Sequence, residues 1–163
     1  MVLNALPIEQ HRGDGESKFR QQHASPEAWA KFSAMVADGR ERRARGETLM
    51  VPRFEIVPIP PAMRAGLPAG AIMSFPFDVV ESMLAFRPND VVGRIAPRPL
   101  LLLHPAADVV TPSAQSIELF RRAGQPTDLH LITNIDHWMI SSSNPGPSQI
   151  LERWLQTYLP VRA

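Results

Sequence analysis

Apolar positions along the chain fall into short blocks with two kinds of spacing. Val2–Leu6 is a short apolar run closed by Pro7, the pattern of a buried strand. "HRGDGE", residues 11–16, reads as a turn from its glycines. Over residues 17–45 the spacing turns helical, with Trp29, Phe32, Met35 and Val36 at three- and four-residue intervals. Ser25-Pro26-Glu27 is a helix-start signal there: a capping hydroxyl, a first-turn proline and an acid at the positive end of the dipole. Residues 51–72 are proline-rich and apolar and predict little regular structure. Phe75–Phe86 predicts a helix ended by "RPND", after which Asn89 or Asp90 is expected to cap a short helix over "VVGRI".

The last third is more regular. Leu100–Leu103 is apolar on both faces, as a central parallel strand covered from both sides would be. Thr111-Pro112-Ser113 opens a helix through about Ala123, which Gly124 ends. Leu129–Thr133 predicts the next strand, and Ile150, Leu151, Trp154, Leu155 and Tyr158 mark a final helix over residues 146–159. Strand, helix, strand, helix is the order of an α/β protein with a parallel sheet and a right-handed crossover.

Composition narrows the chemistry. A chain of 163 residues is one ordinary domain, and a net charge of +1 gives no field for nucleic acid or an anionic membrane. "GRERRARGE", residues 39–47, mixes acids with its arginines and lacks interleaved aromatics, so it reads as a solvated face. With no cysteine there is no disulfide, thiolate metal site or cysteine nucleophile. His11, His23 and His130 have no metal-type partners at useful spacing, and no metal or cofactor is expected. No apolar run approaches the roughly 18 residues of a membrane helix. "MVLNALPIEQ" lacks the pattern of a signal peptide, so a cytoplasmic protein is expected.

Candidate chemistry sits after the two C-terminal strands. In an open parallel sheet, reactive groups collect at the carboxyl ends of the strands. Asp108 follows the Leu100–Leu103 strand and His137 follows Leu129–Thr133, so neighbouring strands deliver both to one edge. A carboxylate there orients one ring nitrogen of a histidine and leaves the other as base. Asp136 is a rival acid, but adjacent residues rarely face each other. Trp138 is read as shielding the histidine or packing in the core. Met63, Met73, Met83 and nearby phenylalanines line either an acyl pocket or plain core.

The stretch "DVVGRIAPRPLLLLHPAADVVTPSAQSIELFRRAGQPTDLHLITNIDH" resembles the C-terminal portion of an α/β-hydrolase. The family often shows an Ile-Ala-Pro-Arg-Pro lead-in, a leucine-rich strand, a His-Gly pair, and an acid followed four residues on by proline. Here these places hold Ile95–Pro99, His104, Asp108 and Pro112, with acid before histidine as in the family's triad. "HRGDGESKFR" and the helical stretch after it resemble the approach to the cap of dienelactone-hydrolase-like esterases. The resemblance implies a partial α/β-hydrolase fold in one structural domain: a sheet strand over 1–8, a cap-like helical region over 9–87, and the C-terminal hydrolase portion over 88–163. It implies Asp108 and His137 as the catalytic acid and base, and a structural place for His104. Pro105 stands where the family has glycine, which bears on the aim of Asp108.

The family's Gly-x-Ser-x-Gly elbow is absent from these residues, and Ser141–Ser143, just after His137, lack a strand–turn–helix setting. The resemblance starts at a strand after that elbow. The expectation is therefore a small subunit of a split serine hydrolase, whose partner chain brings the elbow and oxyanion hole to a small-molecule acyl substrate. The alternative is a non-catalytic truncated hydrolase that self-associates as a binding module. A third reading, an independent enzyme with another nucleophile, has no motif behind it.

Overall fold

The computed structural model describes residues 14–139 and 144–159. The expected strand Val2–Leu6, along with His11 and Ser141–Ser143, lies outside the described residues.

Helix α1 (Asp14–Gln22) begins inside the segment whose glycines read as a turn. Gly15 serves close packing instead: a Cβ there would run into the carbonyls of Met83 and Leu84, on helix α4 (Phe77–Ala85). Helix α2 (Pro26–Ala44) follows, with Ser25 Oγ accepting from the Ala28 amide at 3.1 Å. The helical stretch is thus two helices. Pro26 has no N–H for the Gln22 carbonyl, and it holds Ser25 extended at φ −78°, ψ 149°.

Between α2 and α4 lies a small antiparallel pair absent from the sequence expectation. Strand β1 (Met50–Pro52) pairs with β2 (Ser74–Pro76), Val51 opposite Phe75. Helix α3 (Arg53–Ile56) and a 3-10 turn over Pro61–Gly66 occupy the connection. Phe19, Phe32, Val36, Val51, Phe77 and Val80 bury themselves together as the core of this region. Each such side chain contributes about 1.5–3 kcal/mol when fully buried. The Phe77 ring lies directly on Gly39 of α2.

Helix α5 (Pro88–Val91) runs into a 3-10 turn over Val92–Ile95. Arg87 holds its N-cap position, so Asn89 and Asp90 lie inside the first turn rather than capping it. The proline at Pro88 sets the start one turn earlier than the apolar pattern suggested.

The C-terminal portion has the expected α/β order. Strand β3 (Leu100–Pro105) pairs in parallel with β4 (Thr127–Ile132), in a register that sets Leu103 against His130 and Pro105 against Ile132. Helix α6 (Ala114–Arg122) connects them and packs on both strands, while helix α7 (Gly146–Tyr158) packs on β3. Pro105 is buried at the last position of its strand, and its missing N–H costs no bond to β4, because the amides that donate to β4 are those of alternate residues in register with Leu100 and Ala106. The ladder runs past it, the Ala106 amide donating to the Ile132 carbonyl at 2.8 Å. Among the described residues no helix is long and apolar enough to cross a membrane.

Candidate active site

Asp108 and His137 leave the carboxyl ends of the two parallel strands, and they meet. His137 Nδ1–H donates to Asp108 Oδ2 at 2.9 Å. The carboxylate is almost fully enclosed, its side chain 2% exposed against 27% for His137. Its other oxygen, Oδ1, accepts the amides of Val110 at 2.7 Å and Thr111 at 3.0 Å. This is an Asx-type turn, in which a loop aspartate ties down the backbone just after it.

Burial alone pushes the Asp108 carboxyl up. The hydrogen bonds from His137, Thr111 and Val110 and the His137 charge outweigh it and hold the group below its ordinary value of 3.8. The acid is therefore ionised at neutral pH. An ionised carboxylate only accepts, so the proton of the pair lies on His137 Nδ1 in the neutral ring. That leaves Nε2 with its lone pair, and among the described residues it has no hydrogen-bond partner. The arrangement can accept a proton at Nε2 and stabilise the resulting imidazolium.

Asp136 does not take part. Its Oδ1 accepts the Trp138 amide at 2.9 Å, turning the carboxylate onto its own loop. Trp138 shields His137 edge-on, ring centroids 5.2 Å apart at 69°. Its indole N–H reaches the Met63 carbonyl at 2.9 Å, and its ring covers Gly66, where a Cβ would sit 2.7 Å from indole atoms. The histidine loop is thereby fastened to the 3-10 turn of the preceding region.

His137 and Trp138 line a cavity of about 330 Å³. Its walls are apolar, with Ile56, Val57, Ile59, Phe75, Val79 and Met83, and Arg53 brings a cation to it. Of the methionines singled out, Met83 lines the cavity and Met73 is exposed, while Met63 contributes its carbonyl to Trp138. Among the described residues no group of three or more histidine, aspartate or glutamate side chains converges to hold a metal ion.

Sequence reading missed Ser116 and the part played by Thr111. Ser116 is a polar residue on an amphipathic helix, and only tertiary packing shows that it points inward. Ser113 holds the N-cap position of α6, but its hydroxyl donates to the Ala106 carbonyl at 3.3 Å instead of accepting a helix amide.

Solved structures share this architecture. The crystal structure of the α/β hydrolase GrgF from Penicillium sp. sh18 superposes with a TM-score of 0.58 at 20% identity, over 83% of this chain and 51% of that one. A monoacylglycerol lipase from Paleococcus ferrophilus gives 0.53 at 19% identity, over 77% of this chain and 52% of that one. The fold is a partial α/β-hydrolase fold. The chain spans about half the length of these hydrolases. No protein-family model and no curated protein sequence matches it.

Proposed function

We propose that this chain supplies the acid and the base of a serine hydrolase whose nucleophile stands on a partner chain. Asp108 orients His137, and His137 Nε2 takes the proton from the partner's serine as that oxygen attacks an acyl carbonyl. The imidazolium then protonates the leaving group, and water resolves the acyl-enzyme by the same route. The oxyanion hole belongs with the serine elbow, on the partner. In this reading the region before residue 88 acts as a cap, and the apolar cavity beside His137 receives the acyl group.

The observation that carries the reading is the 2.9 Å bond between His137 Nδ1 and a buried, ionised carboxylate at the ends of adjacent parallel strands. The likeness to two hydrolases about twice as long supports the need for a further unit. A second copy of these residues does not supply it, because Gly-x-Ser-x-Gly is absent from them. The test is co-expression with chains from the native host that carry such an elbow. Hydrolysis of short p-nitrophenyl esters is expected only with the partner, and is expected to vanish in His137→Ala. A lone chain that forms a stable homodimer and stays inert with every such partner contradicts the proposal and favours a binding module.

A further inference from the structure

His104 lies at the end of β3, 8% exposed, and takes no part in the proton transfer described above. Both of its ring nitrogens are engaged. Nε2–H donates to the Thr111 carbonyl at 2.8 Å, and Nδ1 accepts from the Ser116 hydroxyl at 2.8 Å. A carbonyl only accepts, so the first bond places the proton on Nε2. In the neutral ring the second bond has the serine as donor, and Ser116 is itself 9% exposed on α6. The ring is held at both nitrogens by two partners, one in the loop after β3 and one on α6.

The tie to Thr111 matters because of what else Thr111 does. Its amide donates to Asp108 Oδ1, so one residue is fixed by its carbonyl to His104 and by its amide to the acid. Pro112 follows and keeps Thr111 out of the helical region, which limits where its carbonyl points. A continuous path therefore runs from the Ser116 hydroxyl through His104 and Thr111 to Asp108, and on to His137. His104 Nε2 also stands 3.6 Å from Asp108 Oδ2, beyond hydrogen-bond reach.

We propose that His104 is a positioning residue: with Ser116 it clamps the loop after β3 so that the Asp108 carboxylate faces His137. The inference rests on the acid role proposed for Asp108, and it concerns the residue that aims the acid. A merely structural role would have His104 fill space between β3 and α6, with no effect on the acid beyond general loss of stability.

The test is carboxyl ¹³C titration of Asp108 in the full chain, together with proton NMR of the His137 Nδ1–H. In the unaltered protein the carboxyl is expected to titrate below its ordinary value and the bridging proton to appear at low field. His104→Leu is expected to move the Asp108 midpoint upward toward the ordinary value and to broaden the bridging proton away. His104→Gln keeps an N–H where Nε2 stood and is expected to restore both signals. Ser116→Ala, which keeps the ring but removes its second partner, is expected to fall between them. Val80→Ala empties a buried site in the core shared with Phe19, Phe32 and Phe77, touching none of the hydrogen bonds of the path, and is expected to lower Tm and leave both signals unmoved. The proposal is overturned if His104→Leu leaves both signals in place, or if Val80→Ala moves them equally. If His104→Leu fails to fold, the Gln and Ala variants decide alone: signals identical in Ser116→Ala and the unaltered protein overturn it. Absence of the low titration and the bridging proton from the unaltered protein would instead sink the acid–base reading itself.

Discussion

His137 and Asp108 stand 29 residues apart in the chain and 2.9 Å apart in space, at the ends of neighbouring parallel strands. The carboxylate is bound on both oxygens, by ring nitrogen on one and backbone amides on the other, so its direction is set before any substrate arrives. That makes Asp108→Asn an informative change. Asparagine keeps the size and the loop but offers an amide to His137 and favours the wrong tautomer. In the complex with an elbow-bearing partner, kcat for ester hydrolysis is expected to fall by roughly 10⁴-fold with little change in KM. A loss confined to KM would place Asp108 in binding only.

The same carboxylate makes stability depend on acid. Its folded pKa lies below its unfolded one, because hydrogen bonds and the His137 charge outweigh burial. Its contribution is therefore present in full above the unfolded value and is lost as pH falls through the folded value. Thermal melts of Asp108→Asn and the unaltered protein, compared from about pH 6 down to about pH 2, are expected to differ most at the upper end and to converge at the lower. A constant gap across the range would show that the ionised form carries no special stability.

Trp138 couples the histidine loop to the turn at Pro61–Gly66. Trp138→Phe keeps an aromatic edge against His137 and removes the N–H that reaches the Met63 carbonyl. Urea unfolding is expected to show a loss of about 1 kcal/mol, the ordinary value of one hydrogen bond. Gly66→Ala presses a methyl into the indole and is expected to cost more than an exposed glycine replacement would. Equal stability in both variants would mean that the loop and the turn are not tied.

Gly39 sets two effects against each other. Alanine is the better helix former by about 1 kcal/mol, but its Cβ would occupy the space of the buried Phe77 ring. Overpacking of this kind costs about 1–3 kcal/mol, so Gly39→Ala is expected to be destabilising on balance in chemical unfolding. A stabilised variant would contradict the packing of α4 on α2.

What was legible in the sequence was local. The four leucines of β3, the caps and breakers around α6 and the apolar repeat of α7 each declare their element within a few residues, and the parallel order follows from that alternation. Asp108 and His137 could be paired because a strand end fixes a location without knowledge of the rest. What was illegible depended on distant contact. β1 and β2 are three residues each with a proline, and only their pairing across the chain makes them strands. Gly15 looked like a turn residue because its reason for being glycine is a carbonyl on another helix. Ser116 carries no local signal of burial, and only the packing of α6 on β3 turns it inward.

The most direct test of the central claim is fluorophosphonate labelling of the complex recovered from the native host through this chain. The labelled serine is expected on the other polypeptide, within a Gly-x-Ser-x-Gly elbow, and labelling is expected to collapse in His137→Ala. Label on a serine of this chain, or labelling of the partner at full rate without His137, would contradict it.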